Sequence, residues 1–181
     1  GVLVLTIFWG VSKYNGLVNK EETVNGQWAN VENQYQRRSD LIPNLVATVK
    51  GYATHESETL EGVVAARAKA TQVTIDPANM TPEKLQQFQA AQGELSSALG
   101  KLLMITENYP DLKAAANFKQ LQDELVDTEN KIQASRRFYN ANVRDLNIKI
   151  DVFPANIIAS MFNFSKMSLF EIQNQTEREN I

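Results

Sequence analysis

The sequence predicts an all-α fold: an elongated antiparallel bundle of about four helices that starts with one long, kinked helix. Apolar residues recur every three or four positions along most of the 181 residues, and no segment shows the repeated alternation of a strand bounded by turn residues. The chain has five prolines, and four of them (Pro77, Pro82, Pro110 and Pro154) stand where helices are expected to begin or end.

The chain opens with a mainly apolar run that carries no charge before Lys13. A membrane-spanning helix needs about 20 apolar residues. We therefore expect residues 1–12 to be the C-terminal part of a transmembrane anchor that begins upstream. Trp9 and Tyr14 stand where aromatic side chains line a membrane interface. A short buried strand or helix start is the alternative.

The first helix is predicted to continue from this anchor to about Ala53. Steps of four and three residues from Leu17 follow a 3.5-residue repeat, which is typical of a coiled-coil seam. The predicted seam is Leu17, Glu21, Val24, Trp28, Val31, Tyr35, Arg38, Ile42, Leu45, Val49 and Tyr52. Pro43 removes one helical hydrogen bond and crowds the carbonyl of Ser39, so a new helix capped by Asp40 is an alternative. The seam crosses Pro43 without a change of register, which favours a continuous, kinked helix.

Two further helices complete the middle of a bundle domain that we assign to residues 13–150. The second is predicted from about Glu56 to Thr71. Its expected apolar stripe is Leu60, Val63, Val64 and Ala68. The third begins with Thr81 as the N-terminal cap and Pro82 in the first turn, and ends near Glu107.

The fourth helix is predicted from Pro110 to about Ile148, long enough to pair antiparallel with the first. Its seam is Phe118, Leu121, Leu125, Thr128, Ile132, Ser135, Tyr139, Asn142 and Leu146. Residues 151–181 form an apolar C-terminal segment, Phe153 to Phe170, and a polar tail, Glu171 to Ile181. The apolar segment either folds over the bundle or presents a patch to a neighbouring subunit or to lipid.

Composition narrows the function classes. The net charge of −3 offers no basic face for nucleic acid, and the absence of cysteine excludes disulfides, thiolate catalysis and cysteine-based zinc sites. His55 is the single histidine and falls in a predicted surface turn. One histidine does not supply the Glu-x-x-His pairs of a di-metal carboxylate bundle. We therefore predict no enzymatic activity, no metal and no cofactor.

Polar residues that interrupt the two long seams are the candidate site. They are Arg37, Arg38, Asp40, Arg136, Arg137, Asn140 and Asn142. In an antiparallel hairpin the two groups face each other. Arginine forks bind anionic groups well, which is the functional interpretation. The structural interpretation, which we favour, is a buried polar network that sets the register of the helices.

Several segments match one bacterial family. They are Tyr14–Val18, Val31–Val46, Val49–Tyr52, His55–Glu56, Ala65–Ala70, Arg136–Val143 and Phe153–Asn156. Through these segments the chain resembles the LemA family over nearly its whole length. The resemblance implies an N-terminal transmembrane anchor followed by a helical bundle in a bacterial membrane. It implies no activity and no catalytic residues.

These observations predict a membrane-anchored structural or scaffolding protein that self-assembles at the bacterial envelope. The alternative is a binding module for an anionic ligand or a partner protein, using the Arg-rich centre. Expected partners are membrane lipid through the N-terminal helix, further copies of the chain, and other envelope proteins.

Lys13 and Lys20 are mixed with Glu21 and Glu22, which is no strong positive-inside signal. We expect a single-pass protein with its domain on the extracytoplasmic side.

Overall fold

The computed structural model describes residues 1–170, and these form helices joined by short turns, which confirms the all-α class. The α-helices within this range are α1 (Val2–Lys50), α2 (Ser57–Gln72), α3 (Pro82–Thr106), α4 (Pro110–Ala114), α5 (Ala116–Asp151) and α6 (Ala155–Met161). A short 3₁₀ turn at Pro77–Asn79 leads into α3. The predicted polar tail, Glu171 to Ile181, lies outside the described residues.

Helix α1 is continuous through Pro43, as predicted, and ends at Lys50 rather than near Ala53. Proline has no N–H to offer the carbonyl four residues earlier. That carbonyl belongs to Ser39, and it accepts a hydrogen bond from Nε of Arg67 on α2 at 2.8 Å. A side chain from the neighbouring helix thus satisfies the group that proline leaves without its helical partner.

The buried face of α1 agrees with the predicted seam at most positions. Its buried residues are Leu17, Val24, Trp28, Val31, Tyr35, Arg38, Ser39, Ile42, Leu45 and Val49. Tyr52 was wrongly assigned to the seam, since it is 45 % exposed. The helix has already ended at Lys50, so the periodicity no longer sets the direction of this side chain.

Helices α1 and α5 form the long antiparallel pair. Lys20 in the first half of α1 lies 3.4 Å from Asp145 near the end of α5, and Arg38 in the second half of α1 lies 3.2 Å from Glu129 in the first half of α5. The predicted α5 seam is buried at most positions, but Val143 replaces Asn142 as the buried residue. One helical turn of about 3.6 residues beyond Tyr139 falls between positions 142 and 143, and the apolar Val143 is the one that is buried.

The remaining predictions for the helices need smaller corrections. The predicted fourth helix is interrupted at Ala115, whose backbone is extended, so α4 and α5 are separate helices. Thr81 caps α3 as predicted, since its hydroxyl accepts from the Lys84 N–H at 3.2 Å. On α2, Val64 and Ala68 are exposed, while Leu60, Val63 and Ala70 are buried.

The core consists of two main clusters arranged along α1. One contains Ile42, Leu45 and Val49 of α1 together with residues of α2, α3, α4 and α5. The other is aromatic: the ring of Trp28 lies 5.4 Å from that of Phe88 and 5.5 Å from that of Tyr139. Arg38 falls between the two clusters in the sequence of α1, so a polar centre separates two apolar ones.

The apolar C-terminal segment divides between the two predicted alternatives. Ile158 and Ala159 of α6 pack against Leu17, and Phe170 is buried in the aromatic cluster. By contrast, Phe153 is 75 % exposed. One part of the segment therefore folds onto the bundle, and another part presents an apolar surface.

Candidate functional site

Arg38 lies at the middle of α1 with 2 % of its surface exposed. Its Nη2 donates to Oε1 of Gln92 at 2.7 Å and to the carbonyl of the same residue at 3.1 Å. Its Nη1 donates to Oγ of Ser96 at 2.7 Å and to the carboxylate of Glu129 at 3.2 Å. Gln92 and Ser96 belong to α3 and Glu129 to α5, so this guanidinium connects three helices.

The other predicted site residues of α1 lie at the surface. Arg37 is 3.8 Å from the carboxylate of Asp127 on α5, and both side chains are about half exposed. A hydrogen bond from Lys131, together with the charges of Lys131 and Arg37, holds the pKa of Asp127 below its ordinary value. Asp40 accepts a hydrogen bond from Gln36 at 2.8 Å. These residues do not join the contacts of Arg38.

Tyr35 connects the Arg38 network to α5. The guanidinium carbon of Arg38 lies 5.2 Å from the centre of the Tyr35 ring, within the range of a cation–π contact. Burial raises the pKa of Tyr35, and the positive charges of Arg136 and Arg38 offset part of that rise. The guanidinium carbon of Arg136 in turn lies 5.0 Å from the ring of Phe170.

The predicted residues of α5 separate along the helix. Arg137 is exposed, and Asn142 donates to the carbonyl of Phe138 one turn earlier at 2.8 Å. Asn140 instead holds the backbone of Phe170, whose N–H donates to Oδ1 at 2.8 Å and whose carbonyl accepts from Nδ2 at 3.3 Å. Asn140 and Asn142 therefore do not join the contacts of Arg38, whereas Arg136 approaches Arg38 through Tyr35.

Residues 167–170 form a strap that runs antiparallel to α5. Asn147 binds the backbone of Met167 in the same way. Its Oδ1 accepts from the Met167 N–H at 2.9 Å, and its Nδ2 donates to the Met167 carbonyl at 3.0 Å. Tyr139 donates to the carbonyl of Ser168 at 3.1 Å. The strap ends at Phe170, whose ring stacks on that of Trp28 with centres 5.7 Å apart. Asparagine amides thus bind the strap through its backbone, and one ring anchors it.

A polar cleft of about 290 Å³ opens beside the Arg38 network. Glu32, Tyr35, Ser39 and Gln92 are among its lining residues. Burial raises the pKa of Glu32. His55 is exposed in a turn at the distant end of α1. Within residues 1–170, no three His, Asp or Glu side chains are grouped so that they could hold a metal ion.

The first turns of α1 form an apolar end that the bundle does not cover. Val2, Leu3, Val4, Leu5, Ile7 and Phe8 are 67–81 % exposed. Exposed apolar side chains also surround α6. They are Val152, Phe153, Ile157, Met161 and Phe162. In the part of the chain that the structure describes, no helix contains an apolar stretch long enough to cross a membrane.

Sequence reasoning missed the partners of Arg38 and the role of Arg67. Gln92 did give a signal, because it interrupts an otherwise apolar seam on α3 and is only 6 % exposed. Ser96 and Glu129 gave none, since nothing in their local sequence separates them from ordinary polar residues of a helix. The local sequence of Arg67 gave no signal either, although Pro43 indicated that the Ser39 carbonyl needs another donor.

Comparison with known proteins gives consistent results. The chain is 26 % identical to magnetosome protein MamQ of Magnetospirillum gryphiswaldense, over 93 % of this chain and 68 % of that protein. It is 26 % identical to magnetosome protein MamQ 2 of Paramagnetospirillum magneticum, over 88 % of this chain and 65 % of the relative. Protein LemA of Metamycoplasma hominis is also 26 % identical, over 94 % of this chain and 75 % of its own length.

The chain thus spans about two thirds of the length of the MamQ relatives. The sequence model of the LemA family matches residues 27–181. That match includes the Arg38 network, the cleft and the strap. Since it covers most of the chain, the protein belongs to the LemA family.

Proposed function

We propose that the protein is a membrane-anchored, non-catalytic scaffold that self-assembles at the bacterial envelope. The observation that carries the proposal is the apolar start of α1, which is exposed on every side yet continuous with the helix that forms the core. Leaving large apolar side chains in water is unfavourable by about 25 cal/mol per Å². A lipid environment removes that penalty.

The continuity of α1 suits a scaffold. Its 49 residues span about 74 Å at about 1.5 Å per residue. Its start lies outside the bundle, and from Leu17 onward its seam is packed against α5 and its neighbours. Because the same helix would form the membrane segment and part of the core, it would hold the bundle at a fixed angle to the bilayer. A set orientation makes lateral association of neighbouring copies easier, because less rotational freedom is lost on contact.

Membership of the LemA family supports a membrane anchor, since the family resemblance implies one. Two of the relatives are named as magnetosome proteins, and neither name states an enzymatic activity. The polar cleft carries one carboxyl, Glu32, and no nucleophile with a neighbouring base is evident among its lining residues within 1–170. Catalysis by paired groups needs more than this.

Fractionation of bacterial cells tests the anchor. The protein should sediment with the membranes and stay there in alkaline carbonate, which strips peripheral proteins. Replacing Leu5 and Phe8 with glutamate should weaken the attachment and shift protein to the soluble fraction, because a charge is unfavourable by up to about 2.5–3.5 kcal/mol at the centre of a membrane helix and by less toward its ends. Met104→Glu is the matched control, since Met104 is equally exposed at 74 % but lies on α3. Wild-type protein in the soluble fraction would contradict the proposal.

Light scattering in detergent tests self-assembly. The detergent-extracted protein should have a mass of several chains, and cross-linking in the native membrane should give the same ladder of species. A monomer in both measurements would contradict self-assembly while leaving the anchor intact.

The chain has no cysteine, so single cysteines report the side of the membrane. Met104→Cys should react with a membrane-impermeant maleimide in intact cells if the domain is extracytoplasmic. Labelling only after lysis would place the domain inside.

The alternative function, binding of an anionic group at the Arg-rich centre, stays a prediction. Four polar atoms already surround the terminal nitrogens of Arg38, and Arg37 is paired with Asp127. These contacts support the register-setting interpretation. Calorimetric titration with inorganic phosphate separates the two: heat of binding that disappears in Arg38→Ala or Arg137→Ala, without loss of thermal stability, would favour a binding site.

A further inference from the structure

The surface around α6 carries a second apolar patch, which we call the foot. It consists of Val152, Phe153, Ile157, Met161 and Phe162, which are 47–75 % exposed. The opposite face of α6 is buried, with Ile158 and Ala159 packed against Leu17. Helix α6 is therefore held on α1 by one apolar face while a second apolar face points away from the bundle. An apolar face of this kind on a folded domain marks an interaction surface.

The foot lies beside the point where the exposed start of α1 meets the bundle. The ring of Tyr14 is 4.8 Å from that of Phe162, and a Cβ placed on Gly10 would lie 3.9 Å from Cδ1 of Ile158. The foot and the first turns of α1 are about 150 residues apart in sequence, yet they form one continuous apolar surface at one end of the molecule.

We propose that the foot is a second membrane contact, which enters the interfacial layer of the bilayer next to the α1 anchor. This inference rests on the proposed membrane attachment. Along α1, exposed positions 2, 3, 4, 5, 7 and 8 point in all directions around the helix, since successive residues are turned by about 100°. A protein partner covers one side of a helix, whereas lipid surrounds it. Because the foot continues this surface, the same lipid is its occupant.

The level of the foot along α1 determines its depth. Helix α6 meets α1 at Gly10 through Ile158, and the foot meets it at Tyr14 through Phe162. These contacts lie where the uncharged run ends at Lys13, so the foot lies at the edge of the bilayer rather than in its centre. Aromatic side chains favour that layer, as do interfacial helices that are buried about 5–10 Å deep. The ammonium of Lys149 lies close above, 3.2 Å from the carbonyl of Gly16, where lipid phosphates would lie.

A depth measurement with single cysteines tests the foot. In the cysteine-free protein, Met161→Cys carries an environment-sensitive fluorophore after reconstitution into phosphatidylethanolamine–phosphatidylglycerol vesicles with and without spin-labelled lipid. Leu5→Cys reports the anchor. Met104→Cys is the control, because Met104 is 74 % exposed and follows Leu102, which packs with Val49 at the other end of α1. All three side chains are exposed, so labelling should leave the helical circular dichroism unchanged.

The expected result is strong quenching by spin-labelled lipid at positions 5 and 161, several-fold greater than at 104. Quenching at 5 with a value at 161 equal to that at 104 would overturn the foot as a membrane contact and leave the anchor standing. Absence of quenching at both would overturn the anchor as well. A probe at 161 that is shielded from water, is not quenched by lipid and cross-links to a second copy would show that the foot is a contact between subunits, which also overturns the inference.

Discussion

Replacing Arg38 with methionine should destabilise the protein more than any exposed substitution. Methionine fills the aliphatic part of the side chain and removes the guanidinium. Gln92 then loses the donor to its buried Oε1 and one donor to its carbonyl, and Ser96 and Glu129 lose one each. A buried polar atom left without a partner is unfavourable by about 1–3 kcal/mol.

The expected magnitude is about 3 kcal/mol. Breaking a buried ion pair by removing one partner destabilises by about 3–5 kcal/mol. The lower end applies here because the side chain of Glu129 is 46 % exposed and its carboxylate regains water. Removal of Arg38 also eliminates a buried Nε that has no hydrogen-bond partner, which returns part of the loss. In a domain of this size, about 3 kcal/mol lowers Tm by about 6–12 °C.

Urea unfolding followed by helical circular dichroism measures this loss, with Arg37→Met as the matched control. Arg37 pairs with Asp127 at the surface, so its replacement should change stability by less than about 1 kcal/mol. Adding Gln92→Leu to Arg38→Met should recover much of the loss, because an apolar centre has no polar atom left to satisfy. Equal effects of Arg38→Met and Arg37→Met would refute the reasoning.

Three further predictions concern the strap, the proline and the cleft. Phe170→Ala should lower the free energy of unfolding by about 3–4 kcal/mol in chemical denaturation. Leu169→Ala, at a position 39 % exposed, should lower it little, and similar losses for the two variants would contradict the anchoring role of Phe170. Arg67→Met should cost about 1 kcal/mol in the wild type but almost nothing together with Pro43→Ala, which restores the helical N–H; a double-mutant cycle without coupling would count against this contact. Burial raises the pKa of Glu32 from 4.5. The folded state therefore keeps this proton to a higher pH than the unfolded state does, and wild-type stability falls as pH rises from the unfolded pKa toward the folded pKa. Glu32→Gln should flatten the Tm-versus-pH curve just above pH 4.5, and parallel curves for the two proteins would show that Glu32 does not contribute to the pH dependence.

The sequence alone predicted the helical class, the extent of the long helices and most of their buried faces. Trp28 and Ile132, for instance, were placed on the seams by spacing alone, and both are buried. Thr81 was identified as a helix cap from its position before Pro82. Such features depend on residues within one or two turns, so periodicity and capping residues are sufficient to predict them.

The polar centre was predicted in part. A charged residue on an apolar seam pointed to Arg38 as a buried group, and its burial agrees. Its grouping with Asn140 and Asn142 does not hold, because those residues lie further along α5 and contact the strap or their own helix. Spacing predicts which face of a helix a residue occupies but not the level at which that face meets another helix.

The tertiary structure alone decided the contacts between distant segments. Gln92, Ser96 and Glu129 surround Arg38, and Arg67 reaches the carbonyl that Pro43 leaves without its partner. The placing of α6 beside the start of α1, which creates the foot, is of the same kind. Each contact depends on distances between elements that only packing determines, because the hydrophobic effect that drives packing is non-directional and carries no information about polar partners. The apolar start of the first helix could therefore be read from the sequence, but the second apolar surface that continues it could not.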